Sequence, residues 1–428
     1  MKKSRYLLSL VIVLCAIIAA GCQEPESSGA QEKTKLTLWY WSRSLDDNVV
    51  QEIEEEFPDV EIEAQKIGGD EYKNKVHTSL IAGTGPDIIA MNDWAFEYLS
   101  YQDRFVNFMD YGAEEIRDEY LDWKWNAVVD PDTEALIALP IDTGPTVLYY
   151  RADLFEEAGL PSDPEEVTEE LQTWDDYIAA AEQMEEEIGV KMFDTVERVF
   201  NQYMEQQPEK LFTEDGEYIG DGGTAREAWD VVSEINEAGL AARVVDGQER
   251  NAALNEGDVA SFIGAVWETN ILQDSAPDTA GDWRVARAPG GDGNNGGSFL
   301  GVLNSSEHKD KAVEVTKWLV SPDNQLKHYL GVDLFPSAVE TLEEDELAEP
   351  DEFYGGQVVT DTFSEAAQNV PTTYYGEHYH AFRSKFYDEI ALVERGGKDP
   401  EKAWKDLQKQ ADRELSRRTT EEGEKENE

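Results

Sequence analysis

The sequence predicts an α/β fold in which helices lie on sheets whose strands run mainly parallel. Two observations predict it. Short β-branched or aromatic runs alternate with helix-period segments in the order β-α-β-α-β over residues 36–91, at lengths that suit crossover connections. The chain is also large, 428 residues of which 40% are hydrophobic, enough for two or three domains with cores of their own.

Each element follows from its residues. LTLWYW (36–41) is β-branched and aromatic and reads as a strand. Asp46 or Asp47 caps a helix in which Val49, Val50, Ile53 and Phe57 share a face, and Pro58 ends it. VEIEAQKI (60–67) alternates apolar and polar like a half-buried strand. Tyr72, Val76 and Leu80 recur every four residues on a helix closed by Gly83. Residues 88–91 form a wholly apolar third strand that stops abruptly at Asn92, Asp93 and Trp94. ALIALPID (135–142) and TVLYY (146–150) read as short strands, and ADLFEEAGL (152–160) as a helix closed by Gly159. TWDDYIAAAEQMEEEIG (173–189) is a helix capped by Thr173, with Asp175 and Asp176 in the first turn, where the helix dipole favours acids. EGDVASFIGAVW (256–267) is a strand and turn, and residues 283–304 are a strand, a Gly-rich loop and a strand. Residues 308–330 are helical around a Ser-Pro break, and 399–418 form a helix with Ala403, Leu407, Ala411 and Leu415 on one face. The end of the chain, EEGEKENE, reads as a charged disordered tail.

The N-terminus carries an address. Lys2, Lys3 and Arg5 precede an apolar run, residues 7–20, that is too short to span a bilayer comfortably, and Ala19, Ala20 and Gly21 lead into Cys22. Residues 1–21 are therefore expected to be a secretory signal. Ala-Ala-Gly-Cys resembles a bacterial lipobox, in which Cys22 becomes the lipid-modified first residue, although Ala19 stands where Leu is usual. Cys15 lies in the signal, so the rest of the chain has no disulfide, thiol nucleophile or thiolate metal site. Residues 22–34 read as anchor and flexible tether.

Charge narrows the partners. With 36 basic against 92 acidic residues the net charge is −56, a field that repels nucleic acid and anionic lipid surfaces. The acids are spread along the chain instead of being gathered in one patch, as on a solvated surface suited to a salty or alkaline exterior.

These segments, in this order, resemble the extracellular solute-binding proteins of ABC importers, in particular the carbohydrate-binding group that includes maltose-binding protein. GTGPDII (83–89) is similar to the family's Gly-x-x-Pro-Asp-Ile-Val stretch, and LPIDTGPTVLYYRADLFEEAGL (139–160) to its segment running through Leu-Tyr-Tyr to Asp-Leu-Phe-x-x-Ala-Gly-Leu. EGDVASFIGAVW and the Pro-Gly-Gly loop with its following strand and helix (288–325) also match. Two departures are Ile141, where the family has Tyr, and Arg151-Ala152, where it has Asn-Lys.

The resemblance implies a two-lobed periplasmic-binding-protein-like fold of class II, each lobe a sheet flanked by helices, with the ligand cleft between them. Lobe one would hold residues 35–142 and 296–345, lobe two 143–295 and 346–418, with 419–428 as the tail. It further implies a monomer without cofactor or enzymatic activity. Such a protein, anchored to the bacterial membrane, binds a sugar or oligosaccharide and delivers it to the transmembrane permease.

Candidate ligand residues follow from the rule that ligands of open α/β sheets sit beyond the carboxyl ends of the strands. The rule selects Trp41 and Ser42 after the first strand and Asn92, Asp93 and Trp94 after the third. Asp142 and Thr143 at the crossover, Trp267 and Glu268 in lobe two, and Gly297 and Ser298 in the return loop complete it. The resemblance adds Tyr374 and Tyr375 as a further cleft wall. Aromatic faces suit the C–H patch of a pyranose, and carboxylates accept from its hydroxyls.

Other classes are weighed against this. A secreted glycoside-acting enzyme needs a carboxyl pair with a raised pKa, and no pair sits in a context that explains one. A receptor for a non-sugar solute shares the same fold. His378 and His380 are the sole histidine cluster, too sparse to define a metal site. Residues 290–297 lack the Lys-Ser/Thr of a phosphate loop, and GTGPD precedes its strand and so is no dinucleotide fingerprint.

Overall fold

The computed structural model describes residues 33–245 and 247–425. The signal segment, Cys22 and most of the tether lie outside the described residues. Two sheets organise the chain. In the first, β1 (Thr34–Tyr40), β2 (Val60–Lys66) and β3 (Ile88–Met91) pair in parallel in the order β2-β1-β3, as the alternation of strands and helices predicts. The strand β4 (Leu139–Pro140) covers only the centre of the stretch expected from 135 to 142. The second sheet centres on β5 (Pro145–Arg151), flanked by β6 (Ser261–Ala265) and β7 (Trp283–Arg287), with the short β8 (Gly293–Asn294) on one end of β5. The last strand, β9 (Phe299–Val302), returns to the first sheet and joins β3 and β4 antiparallel.

The expectation of parallel strands therefore holds for one half of one sheet. Every pairing of β5 is antiparallel. The reason is connectivity: β9 arrives from the other lobe and enters the first sheet from the opposite end.

Helix boundaries follow the local chemistry. Asp46 caps Asp47–Glu56 by accepting from the amide of Asn48 at 2.6 Å, and Val49, Val50 and Ile53 bury the inner face. Thr173 and Asp176 form a reciprocal capping box at the start of Trp174–Glu187. Pro322 occupies the first turn of Pro322–Val332, which is why the helical stretch breaks at Ser321. The final helix runs Pro400–Lys425, so the backbone of the first part of EEGEKENE is helical where a disordered tail was expected.

Each sheet has its own core. Leu36, Leu38 and residues 88–91 pack with Val49, Ile53, Val76 and Leu300 around the first sheet. The second sheet is buried on both faces: Leu148 and Tyr150 meet the helices Trp174–Glu187, Val196–Glu205 and Tyr379–Glu394, while Val147 and Tyr149 meet Phe262, Trp283 and Phe363. No helix among the described residues is long and apolar enough to cross a membrane.

Candidate functional site between the lobes

Three chain segments cross between the sheets and bond to one another. Ile141 donates its amide to the Ser298 carbonyl (2.9 Å), Asn295 to Gly144 (2.8 Å) and Thr143 to Phe335 (2.8 Å). The Asp142 carboxylate accepts the Ser298 amide at 2.7 Å, and the Thr143 hydroxyl donates to the Pro336 carbonyl at 3.1 Å. Burial raises the Asp142 pKa, with Lys124 and the Ser298 contact opposing.

Four of the expected ligand residues, Asp142, Thr143, Gly297 and Ser298, are buried here, Thr143 completely, where the crossing segments hold one another. Gly297, at φ +86°, lies so close to the crossover that a Cβ there would meet the Asp142 carbonyl at 2.6 Å and the Lys124 ammonium at 2.7 Å.

Across the cleft the lobes touch. The 3₁₀ segment Asp93–Arg104, which begins where β3 ends, sets Asp93, Phe96 and Glu97 against the helix Tyr379–Glu394. His380 presents one ring nitrogen to Glu97 (2.7 Å) and the other to Asp93 (3.3 Å), an arrangement that favours the doubly protonated ring, since ionised carboxylates only accept. Burial lowers the His380 pKa, but the two carboxylates outweigh it and the net shift is upward. Asp93 shows the converse: burial works against ionisation, yet His380 holds it at about 2. Phe96 stacks on Tyr375 with centroids 4.6 Å apart, and also on His380 at 5.2 Å.

Behind this contact is a small space of about 30 Å³, one water molecule's worth. Asp93, Phe96, Lys124 and Phe299 line it from one lobe and Glu205, Tyr375, Tyr379, His380 and Arg383 from the other. A sugar ring enters there only if the lobes part.

A larger cavity of about 540 Å³ adjoins it, sharing Asn295 and Arg383. Its size suits a small ligand. Trp267 provides a half-buried indole, and Thr146, Asn201, Gln202 and Asn295 provide hydroxyl and amide groups. In its wall Arg198 binds Asp194 (3.1 Å) and Glu268 (3.0 Å), while Arg250 binds Asp194 (2.9 Å) and Glu268 (3.3 Å). The Arg250 Nη2 is buried with no hydrogen-bond partner among the described residues.

The expected residues thus divide. Asp93 and Tyr375 meet in the small space, and Trp267 and Glu268 line the large one, Glu268 as part of the charge network. Trp94, at 8% exposure, lies in the first core, edge-on to Tyr98 at 5.6 Å and beside Tyr72 at 6.4 Å, in the 3₁₀ segment that begins at Asp93. Trp41 packs on Tyr72 (5.2 Å), Ser42 is exposed on the following turn, and Asn92 caps the 3₁₀ segment; none of the three lines either cavity. Tyr374 lies in a separate groove and donates its amide to Pro208.

Sequence reasoning missed Lys124, Arg198, Glu205, Arg250 and Arg383, all on helices in a chain rich in solvated charge. His380 was noticed only for its pairing with His378. The two do not converge, since His378 faces Arg418 at 2.8 Å.

The His380 contact gives a pH prediction. Because its folded pKa is raised, the contact is at full strength below the ordinary histidine range and weakens as pH rises through the folded value. Scattering from pH 6 to 9 is expected to show the particle expanding as the lobes part, and His380→Gln should flatten that dependence. An unchanged dependence in the variant would assign the effect elsewhere.

Two lobes, three crossings and a polar, aromatic cleft define a hinged solute receptor. The chain belongs to the bacterial extracellular solute-binding protein family, whose model matches residues 41–326. The lactose-binding protein of Rhizobium radiobacter is 28% identical over 371 residues, covering 80% of this chain and 84% of its own length. The arabinooligosaccharide-binding protein of Bacillus subtilis strain 168 is 26% identical over 336 residues, 73% of this chain and 75% of its own. A crystal structure of an extracellular solute-binding protein family 1 member matches with a TM-score of 0.86 and 28% identity, over 89% of this chain and 99% of its own.

Proposed function

We propose that this protein is the lipid-anchored receptor of an ABC importer, taking a sugar or oligosaccharide between its lobes and passing it to the permease. One observation carries the sugar reading. The 540 Å³ cavity joins an indole face, Trp267, to a ring of amide, hydroxyl and guanidinium groups, and it opens onto the contact between the lobes. A pyranose needs both a flat apolar surface and directional partners for its hydroxyls. The names of the related binding proteins support the same class of ligand.

Closure supplies the mechanism. A ligand bound to Trp267 and Gln202 that also reaches Asp93 or Lys124 gains its full contact only when the lobes meet, so it shifts the population toward the closed form that the permease reads. Lobe boundaries near 142–143 and 295–296, and at 345 a little beyond the Phe335–Pro336 crossing, and a lipid on Cys22 belong to the same proposal. The crossing residues Asp142, Thr143, Gly297 and Ser298 act as a hinge, by positioning, while Asp93, Trp267, Glu268 and Tyr375 remain as the expected residues nearest the ligand.

Thermal-shift and tryptophan-fluorescence titrations against mono-, di- and oligosaccharides test this. At least one sugar is expected to raise the melting temperature, by mass action on the folded state, and to perturb the emission of Trp267. A broad panel with no shift and no spectral change would overturn the sugar reading.

A further inference from the structure

Two cations lining the small interlobe space have no hydrogen-bonded anion, and their open donors point to a ligand. Both carboxylates there already have partners. Asp93 is held by His380, and Glu205 accepts from Lys210 (3.1 Å), Tyr375 (2.9 Å) and Tyr379 (3.0 Å). The two remaining cations have no bonded anion, although Asp93 and Glu205 act on Arg383 through space. Arg383 lies over the rings of Tyr379 (5.3 Å) and Tyr387 (5.4 Å), with no hydrogen bond or ion pair to a described residue. Lys124 is 1% exposed and sits 3.7 Å over the Phe299 ring, likewise without such a partner.

Unlike lysines and arginines that meet water, these two are withdrawn into the space between the lobes. They come from opposite lobes and line one space. Burial lowers the Lys124 pKa to about 7 although Asp142 and Asp93 oppose it as countercharges. Neither is hydrogen-bonded to the ammonium, since Asp142 accepts the Ser298 amide and Asp93 pairs with His380. The Arg383 fork matches a planar carboxylate, and its stacking on two tyrosines fixes its orientation before a ligand arrives.

We infer that the ligand is an acidic saccharide, and that the carboxylate of a uronic acid residue lies between Lys124 of lobe one and Arg383 of lobe two. This rests on the sugar-receptor reading and narrows it. The neighbouring 540 Å³ cavity, which shares Arg383, would take the rest of the saccharide. The carboxylate would then draw the lobes together, so recognition of charge and closure become one event.

The test is calorimetric titration of the protein with two- to four-residue oligomers of galacturonate, glucuronate and mannuronate, and with neutral galactose, glucose and mannose oligomers of the same lengths. At least one uronate oligomer is expected to bind 100-fold or more tighter than its neutral counterpart. That preference should shrink at least tenfold in Arg383→Gln and in Lys124→Met, while Arg383→Lys restores part of it. Lys124→Met fills the same volume without a charge, and thermal melts verify that each variant folds. A neutral oligomer that binds as well as or better than every uronate overturns this inference and leaves the sugar receptor standing. Binding of none of them overturns both.

Discussion

Replacing Arg250 by alanine is expected to lower the free energy of unfolding by about 3–5 kcal/mol, the usual cost of leaving buried charges without their partner. Arg250 binds both Asp194 and Glu268 and lies 4.4 Å from the Phe262 ring centroid, with almost none of its side chain in water. Its loss leaves two buried carboxylates to Arg198 alone, in the wall of the large cavity. Two terms then act together, the desolvated anions and the void left by the guanidinium. Urea unfolding of Arg250→Ala measures the sum. The double variant Arg250→Ala with Glu268→Gln should recover part of the loss, since it removes one stranded charge. A single-variant loss below about 1 kcal/mol would place Arg250 among weakly coupled surface pairs.

Gly144→Ala carries the second large effect. A Cβ at Gly144 would lie 2.2 Å from the Asn295 carbonyl oxygen and 2.4 Å from the Trp267 ring. The carbonyl cannot withdraw easily, because the Asn295 amide is bonded to Gly144 itself and the Asn294 side chain accepts the Gly144 amide at 2.8 Å. Overpacking of this kind costs about 1–3 kcal/mol, and the fixed backbone puts this case near the upper figure. The effect reaches function because the indole that must move lines the proposed sugar cavity. Denaturant unfolding should show the loss, and the tryptophan emission should shift even without sugar, a shift absent when Trp267→Phe is in the background. A variant within about 0.5 kcal/mol of the parent, with the same emission, would mean that the crossing strands accommodate a methyl group.

Strand ends were only a partial guide to the site. Where β1 and β3 run parallel, their carboxyl ends pointed to Asp93, which does face the other lobe. The same rule selected Asp142, Thr143 and Ser298, whose polar groups bond across the crossing, since such groups at a strand end can hold a neighbouring segment as readily as a ligand. It also selected Trp94, which packs against Tyr72 and Tyr98. Arg383 and Lys124 left no local trace. An arginine on a helix surface looks the same in sequence whether it faces water or a cleft.

By itself the sequence determined the opening order of strands and helices, several helix caps, the first sheet's parallel core and the family, but not the helices Val196–Glu205 and Tyr379–Glu394. Those features rest on interactions within a few residues or on apolar periodicity, both written locally. Only the tertiary structure decided which charges meet. Asp93 and His380 are 287 residues apart in the chain and 3.3 Å apart in space. Their pairing, and the unpaired Lys124 and Arg383 beside them, exist because three crossing segments bring two separately packed sheets face to face, and no local pattern of residues encodes that distance.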